Sequence, residues 1–220
     1  MHTIIKAVIF DMDGVLIDSE PLWRRAMVKG FKQFGMTVTE EECKTTMGRR
    51  INEVVNYWVN IHSVNPLKSP EIEKTIIEVL LNLIENEGKA ISGVLDLLNF
   101  CKNKQLKIGL ATSSSELLMQ KVLNKLQIKN YFNSVVSAQN LKYGKPNPEV
   151  FLTCAENLGV NPSECVVIED SINGAIAAKA AQMQLIVVPD ANSLNPEKFS
   201  IADYNLNTMN EVLNLFKSHF

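Results

Sequence analysis

The chain has 220 residues, of which 46% are hydrophobic and 21% are charged, and its formal net charge is -2. This composition excludes a disordered chain, and the lack of a basic excess argues against a nucleic-acid-binding protein, because such proteins neutralise phosphates with lysine and arginine. The sequence contains no run of about 18 apolar residues, which a membrane span would need. Its first residues do not resemble a secretory signal. We therefore expect a cytoplasmic monomer with neither a nucleic-acid partner nor a membrane partner.

Five short apolar runs, rich in β-branched residues, predict the strands of a sheet: residues 4–10, 106–111, 134–137, 165–168 and 185–188. The runs are apolar throughout, which favours strands buried on both faces of a parallel sheet. From Gly93 onward, helix-like stretches separate the runs. This alternation predicts a Rossmann-like, three-layer α/β/α core with a parallel sheet.

Signals for helix ends are legible in the second half of the chain. Asn147 followed by Pro148 predicts a helix start, and Gly159 predicts the end of that helix. Ser113 with Glu116 three residues later predicts a capping box. Such a helix start directly after a strand would present backbone N–H groups to an anion.

The segment from about residue 20 to 86 breaks the pattern, because it reads as helix after helix. We predict helices at 21–34, from Thr39, at 51–61 and at 69–83. A helical block between the first strand and the rest of a sheet predicts an insertion that covers the strand ends as a lid. The predicted domains are a core (1–16 and 89–220) and a cap (17–88), with hinges at 15–19 and 88–93.

The four cysteines, Cys43, Cys101, Cys154 and Cys165, stand far apart. No pair has the spacing of a zinc site or of a disulfide framework. We expect reduced and mostly buried thiols, as is usual in a cytoplasmic protein.

The strongest chemical signal is the sequence Asp11-Met-Asp13-Gly14 at the end of the first strand. Residues i and i+2 of a strand share a face, so the two carboxylates can converge just past the carboxyl edge of the sheet, where ligands of open α/β sheets bind. Paired carboxylates suit a divalent cation such as Mg2+, or a division into one nucleophile and one general acid. Gly14 permits the tight turn that follows.

Three further groups follow later strands of the predicted sheet. Thr112 begins a run of hydroxyl residues, Lys145 stands between a glycine and a proline, and Glu169 and Asp170 directly follow an apolar run. Each alone has an ordinary explanation as a helix cap or a surface charge. Their recurrence at successive strand ends predicts a phosphoryl-transfer site, in which cations and donors surround the phosphoryl oxygens and a carboxylate attacks.

These motifs, in this order, resemble those of the haloacid dehalogenase superfamily of phosphatases and phosphomutases. Within it the chain is similar to the β-phosphoglucomutase-like subgroup. The segments around Asp18-Ser-Glu-Pro-Leu-Trp23 and Gly48-Arg-Arg-Ile51 resemble those of bacterial 2-deoxyglucose-6-phosphate and hexitol phosphatases. The resemblance implies a phosphatase acting on a small phosphorylated sugar.

The resemblance also implies roles for individual residues. Asp11 would attack phosphorus and form an aspartyl phosphate, and Asp13 would act as general acid and then as general base. Thr112, the backbone amide of Ser113, and Lys145 would hold the phosphoryl group.

The implied cofactor is Mg2+. Its ligands would be a carboxylate oxygen of Asp11, the backbone carbonyl of Asp13, and Asp170, with Glu169 at or near the ion. In the cap, Glu20, Arg49 and Arg50 are candidates for substrate contacts, although each also fits a solvated charge at a helix start. We interpret Trp23 as packing within the lid.

Two other functions remain open on the sequence. A phosphomutase of the same subgroup is the first alternative, although mutases carry a histidine where this chain has Trp23, and the cap arginine motif differs in spacing. The second is a phosphoaspartate receiver or a non-catalytic binding module, which would need neither Asp13 nor a helical lid.

Overall fold

The computed structural model describes residues 4–46, 49–189 and 196–219. Within these ranges, six parallel strands form one sheet in the order β3-β2-β1-β4-β5-β6. The strands are β1 (Ala7–Phe10), β2 (Lys107–Thr112), β3 (Ser134–Ser137), β4 (Cys165–Glu169), β5 (Gln184–Val187) and β6 (Tyr204–Asn205). The five predicted strands are confirmed with end shifts of at most three residues, whereas β6 was not predicted from the sequence.

Strand β1 lies at the centre of the sheet and determines what meets at its edge. Phe10 is in register with Leu110 of β2 and with Ile168 of β4. The carboxyl ends of β1, β2 and β4 are therefore adjacent. The residues that follow β1 therefore meet those that follow β2 and β4, which lie more than 100 positions later in the chain.

The helices of the described residues are α1 (Glu20–Gln33), α2 (Glu40–Cys43), α3 (Ile51–Ile61), α4 (Ser69–Glu87), α5 (Val94–Asn103), α6 (Glu116–Lys125), α7 (Glu149–Leu158), α8 (Ile172–Ala180) and α9 (Met209–His219). Helices α5 to α9 cover the two faces of the sheet. Alternate residues of β1 point to opposite faces: Val8 and Phe10 pack in one apolar cluster with α5, α6 and α9, whereas Ala7 and Ile9 pack in another with α7 and α8. The predicted three-layer α/β/α fold is confirmed.

Two predicted helix starts need correction. The capping box at Ser113 is wrong: α6 begins at Glu116, and Ser115 caps it by accepting a hydrogen bond from the backbone N–H of Leu118 at 3.4 Å. Ser115 has the extended backbone that an N-cap requires. Helix α7 begins one residue later than predicted, with the side chain of Asn147 accepting from the N–H of Glu149.

Helices α1 to α4 follow one another between β1 and α5, as expected for an insertion. The chain leaves and rejoins the core at one place, where the N–H of Asp18 donates to the carbonyl of Lys89 and the N–H of Ile91 donates to the carbonyl of Leu16, each at 3.1 Å. We therefore propose that residues 17–88 form a cap and that the remaining residues form the core. Gly48, part of the predicted cap motif, lies outside the described residues.

The thiol prediction is confirmed, because all four cysteines are free and buried. Burial raises the pKa of the Cys101 thiol to about 12 and that of Cys43 to about 11, so both thiols stay protonated. Among the described helices, none combines the length and apolarity that a membrane span needs.

Candidate active site

A small cavity of about 60 Å³ lies between the carboxyl edge of the sheet and the cap. The core side of this cavity is lined by Asp11, Asp13, Thr112, Ser113, Ser114, Lys145, Glu169, Asp170 and Ser171. The cap side is lined by Glu20, Trp23, Met27, Thr46, Arg49, Ile51 and Val54. Except for Arg50, every residue predicted for the site lines this one cavity.

An ammonium group between two carboxylates forms the floor of the cavity. The Nζ atom of Lys145 lies 2.6 Å from Oδ1 of Asp11 and 2.7 Å from Oε1 of Glu169. Lys145 is only 3% exposed and Glu169 is fully buried. Because low-dielectric surroundings strengthen these charge-assisted bonds, the lysine is held in one position facing Asp11.

Burial and charge act against each other on these groups. Burial raises the pKa of the Asp11 carboxyl to about 7, although the neighbouring Lys145 ammonium opposes the rise. Burial lowers the pKa of Lys145, but attraction to Asp11 and Glu169 outweighs it and leaves that pKa above its ordinary value. Burial, then the charges of Glu169 and Asp11, raise the pKa of Asp170. The floor of the cavity thus brings three carboxyl groups, those of Asp11, Glu169 and Asp170, beside one lysine.

Glu169 is held by the start of helix α8. Its Oε2 atom accepts hydrogen bonds from the backbone N–H groups of Asp170 (2.8 Å) and Ser171 (2.7 Å) and from the Ser171 hydroxyl (3.0 Å). A Cβ atom at Gly174 would collide with this carboxylate, so the helix needs glycine there. Glu169 thus orients Lys145, and its oxygens are already engaged by protein donors.

The donor set fits a hard divalent cation. One carboxylate oxygen from each of Asp11, Glu169 and Asp170 lies within 4.8 Å of the other two, and oxygen ligands of this kind suit Mg2+. The turn after β1 is shaped around this cluster: Gly14 has a φ of 74°, and a Cβ there would collide with the carboxylate of Asp170. A second positive charge would offset the burial and the neighbouring negative charges that raise the pKa values of Asp11 and Asp170.

Asp13 stands apart from this carboxylate cluster and faces the cap. Its Oδ1 atom accepts hydrogen bonds from the Ser19 hydroxyl at 2.6 Å and from the indole N–H of Trp23 at 2.9 Å. Its Oδ2 atom accepts one from the Ser114 hydroxyl at 2.6 Å. Together these three donors fix the orientation of the Asp13 side chain.

The end of β2 supplies donors opposite Asp11. Thr112 is buried, and its hydroxyl oxygen accepts a hydrogen bond from the backbone N–H of Ser114 at 3.1 Å. The Ser137 hydroxyl donates to the carbonyl of Ser114, which anchors the loop to β3. Thr112 and Ser113 line the cavity at the head of α6, where an anion is favoured.

The predicted cap residues separate in the structure. Glu20 lines the cavity and lies 3.8 Å from Arg24. Arg49 also lines it, with its guanidinium 6.0 Å from the ring centroid of Tyr57. Arg50 does not line this cavity, and its side chain packs against the core loop that carries Lys145. Its substrate contact stays a prediction.

The sequence interpretation missed all three contacts to Asp13, which come from Ser19, Trp23 and Ser114. In the sequence, Ser114 is one of several adjacent hydroxyl residues, and Trp23 was interpreted as packing within the lid. In the structure, both side chains donate hydrogen bonds to Asp13. A signal was present for Trp23, since a tryptophan at a domain junction needs a partner for its N–H group. For Ser114 the sequence offers no signal that separates it from its neighbours.

A family model for haloacid dehalogenase-like hydrolases matches residues 8–188. Hexitol phosphatase B of Escherichia coli (strain K12) is 40% identical over 209 residues, covering 94% of each chain. The phosphorylated carbohydrates phosphatase of Thermotoga maritima is 35% identical over 183 residues, covering 83% of this chain and 84% of the relative. The chain therefore belongs to the haloacid dehalogenase-like hydrolase family.

Solved structures agree with this assignment. β-Phosphoglucomutase from Clostridium difficile superposes with a TM-score of 0.86 at 26% identity, covering 98% of this chain and 96% of that one. The predicted family, its β-phosphoglucomutase-like fold and the enzyme class, a phosphatase, are thereby confirmed.

Proposed function

We propose that this protein is a Mg2+-dependent phosphatase of small sugar phosphates, with hexose 6-phosphates, 2-deoxyglucose 6-phosphate and sugar alcohol phosphates as the substrate class. The observation that carries the proposal is the buried Asp11 carboxylate, 2.6 Å from Lys145 and facing the same cavity as Asp13. Relatives that match nearly the whole chain bear the names of sugar-phosphate phosphatases.

In the first step, a carboxylate oxygen of Asp11 attacks phosphorus, and the bond between phosphorus and the sugar oxygen breaks. Asp13, in its protonated form, gives its proton to the leaving oxygen. Lys145, Thr112 and the backbone amide of Ser113 stabilise the charge on the equatorial phosphoryl oxygens. The products are the free sugar and an aspartyl phosphate.

In the second step, Asp13 takes a proton from a water molecule that attacks the phosphorus of the aspartyl phosphate. The bond from phosphorus to the Asp11 oxygen breaks, which releases phosphate and restores the carboxylate. Ser19, Trp23 and Ser114 support this step, because their hydrogen bonds hold the Asp13 side chain in one orientation.

The cation would be held by Asp11, by the backbone carbonyl of Asp13, and by Asp170, with Glu169 beside it. When bound, Mg2+ supplies positive charge for the transferring phosphoryl group. The fit rests on the buried oxygen cluster and on the excess of carboxylates over the single lysine.

The cavity is too small for the substrate in the arrangement described. Its volume of about 60 Å³ is well below the roughly 300–1,000 Å³ of typical ligand sites. We infer that the cap moves away to admit a sugar phosphate, at the predicted hinges 15–19 and 88–93. Closure would then exclude bulk water during the attack by Asp11.

A screen of phosphorylated metabolites tests the proposal directly. Release of phosphate is measured with Mg2+ and after removal of divalent cations by a chelator. We expect hydrolysis of hexose 6-phosphates or sugar alcohol phosphates that stops on chelation and returns when Mg2+ is added. Activity that persists without divalent cations, or no release from any phosphate ester, would exclude the proposal.

The phosphomutase alternative is favoured by one observation, the similarity to β-phosphoglucomutase structures. Incubation with β-glucose 1-phosphate and a bisphosphate primer distinguishes a phosphomutase from a phosphatase. A mutase accumulates glucose 6-phosphate faster than free phosphate, and the proposed phosphatase does the reverse.

A further inference from the structure

Arg50 joins the cap to the core at a place distant from the hinges. Its Nη1 atom donates to the carbonyl of Leu141 in the core at 3.3 Å, across 91 residues of sequence. Its Nε and Nη2 atoms each lie 2.8 Å from Oε1 of Glu53, one turn further along α3. The start of α3 therefore fixes the arginine, and the arginine reaches the core loop.

Gly144 in that loop provides the space for the Arg50 side chain. A Cβ atom built on Gly144 would meet Nε of Arg50 at 2.7 Å, Cδ at 3.0 Å and Cγ at 3.1 Å, and these are its three nearest neighbours. The φ of Gly144 lies outside the left-handed region, so its backbone conformation does not by itself require glycine. What excludes a side chain at this position is the arginine of the cap.

The residue after Gly144 is Lys145, which faces Asp11. The loop is short and internally bonded, since the N–H of Asn147 donates to the carbonyl of Gly144 at 2.9 Å. The N–H of Tyr143 donates to the carboxylate of Glu149 at 3.0 Å. A displacement of the Gly144 backbone is therefore passed to the neighbouring lysine.

We propose that Arg50 is a positioning residue. When the cap lies against the core, its side chain packs on Gly144 and holds the loop that presents Lys145 to the transferring phosphoryl group. This inference rests on the proposed phosphatase function. Opening of the cap withdraws Arg50 from Gly144, so the backbone beside Lys145 loses this support, whereas the bonds of its Nζ atom to Asp11 and Glu169 remain. Arg50 thus acts on the reaction without touching the sugar.

Its neighbour Arg49 provides the contrast. Arg49 lines the cavity, so its loss should raise KM for a sugar phosphate more than KM for p-nitrophenyl phosphate, which has no sugar. Loss of Arg50 should instead lower kcat for both substrates by the same factor, because every phosphate ester needs Lys145. The matched pair Arg49→Ala and Arg50→Ala separates these two roles.

A double-mutant cycle tests whether Arg50 and Gly144 act as one unit. The variants are Arg50→Ala, Gly144→Ala and the double substitution, each assayed for kcat and KM on both substrates in the presence of Mg2+. We expect each single change to lower kcat about tenfold, the size expected for loss of one charge-assisted hydrogen bond. The double variant should be no worse than the worse single variant.

Losses that multiply to about 100-fold in the double variant would show independent roles and overturn the proposal. So would a Gly144→Ala enzyme as active as the wild type, or an Arg50→Ala enzyme that changes only KM for the sugar phosphate. Arg50→Lys keeps the aliphatic stem and a donor, and we expect it to retain more activity than Arg50→Ala. If the alanine variant does not fold, the kcat values of Arg50→Lys and Arg50→Gln are compared instead. We expect the lysine variant to retain more activity than the glutamine variant.

Hydrogen exchange gives a readout that does not depend on activity. The amides of Tyr143 and Asn147 are hydrogen-bonded within the loop, and we expect them to exchange faster in Arg50→Ala than in the wild type. Unchanged exchange in this variant would refute the positioning role. A wild-type protein that hydrolyses no phosphate ester would refute the proposed function, and the exchange measurement would still decide on Arg50.

Discussion

The core and cap sides of the cavity are built in different ways. On the core side, buried charged groups hold one another through short bonds, as Lys145 does with Asp11 and Glu169. On the cap side, apolar residues such as Met27 and Val54 alternate with a few polar ones, and Arg49 is exposed. The core side can position reacting atoms closely, whereas the cap side offers shape and a small number of polar contacts.

This difference indicates where chemistry and where substrate choice reside. A rigid, fully bonded constellation suits phosphoryl transfer, which depends on positioning and electrostatics. A mixed, partly exposed surface that moves with the cap suits discrimination among sugars. Trp23 and Arg50 cross between the two sides, each contacting the core from the cap.

The largest expected effect comes from the centre of the core side. We expect Asp11→Asn to lower phosphate release by at least about 10⁴-fold, because the amide is a poor nucleophile and removes the negative charge opposite Lys145. Release from p-nitrophenyl phosphate is measured beside Asp96→Asn, the same change on an exposed residue of α5. Substantial activity in Asp11→Asn would remove the nucleophile from the mechanism.

The next largest effect concerns Asp13, where the core meets the cap. We expect Asp13→Asn to lower kcat for a sugar phosphate by about 10³-fold, because the leaving alkoxide and the attacking water both lose their proton partner. The loss should be smaller for the first step with p-nitrophenyl phosphate, whose leaving group needs no proton. Rapid-quench measurement of aspartyl phosphate formation follows this step, and equal losses on both substrates would contradict the acid role.

A moderate effect is expected for the cap residue that bonds to Asp13. Trp23→Phe removes the indole N–H 2.9 Å from Asp13, and we expect kcat to fall about tenfold with a smaller change in KM. The matched control is Trp58→Phe, since Nε1 of Trp58 is buried without a hydrogen-bond partner. If both variants lose activity equally, the hydrogen bond to Asp13 is not the cause.

The smallest effect is on stability and tests the charge balance of the core side. The folded-state pKa of Asp170 is raised, mainly by burial. Its contribution to stability is therefore fully present below the unfolded pKa and is lost as pH rises through the folded pKa. At about pH 8, metal-free Asp170→Asn should unfold about 2–4 °C above metal-free wild type.

Thermal unfolding at about pH 5 and about pH 8, with and without Mg2+, checks this. The difference between variant and wild type should shrink at the lower pH, where the wild-type carboxyl keeps its proton. Mg2+ should raise the unfolding temperature of the wild type more than that of the variant. A variant less stable than the wild type under metal-free conditions would contradict the charge argument.

Much of the site could be predicted from the sequence because of a property of parallel sheets. Asp11 and Asp170 each follow a strand and Thr112 is the last residue of another, and the carboxyl ends of parallel strands share one edge. Strand pairing then brings the residues together whatever the details of the helices. The helix starts at Ser115 and Glu149 were less predictable, because several adjacent hydroxyl or polar residues can cap equally well.

The assignment of the cap residues could not be made in the same way. Arg49 and Arg50 are neighbours in sequence, yet one lines the cavity and the other seats on Gly144. Which arginine points where depends on how α3 docks on the core. The same holds for Trp23, whose partner on Asp13 depends on the angle at which α1 leaves the hinge.

By itself, the sequence determined the α/β class, the helical insertion and the set of acids and lysine at the sheet edge, since these depend on local periodicity and on chain order. Only the tertiary structure decided which side chains hold Asp13 in place, and that Arg50 touches the Lys145 loop instead of the cavity. Those contacts join residues up to about a hundred positions apart, either across the sheet edge or through the packing of cap on core, and no local pattern encodes such packing.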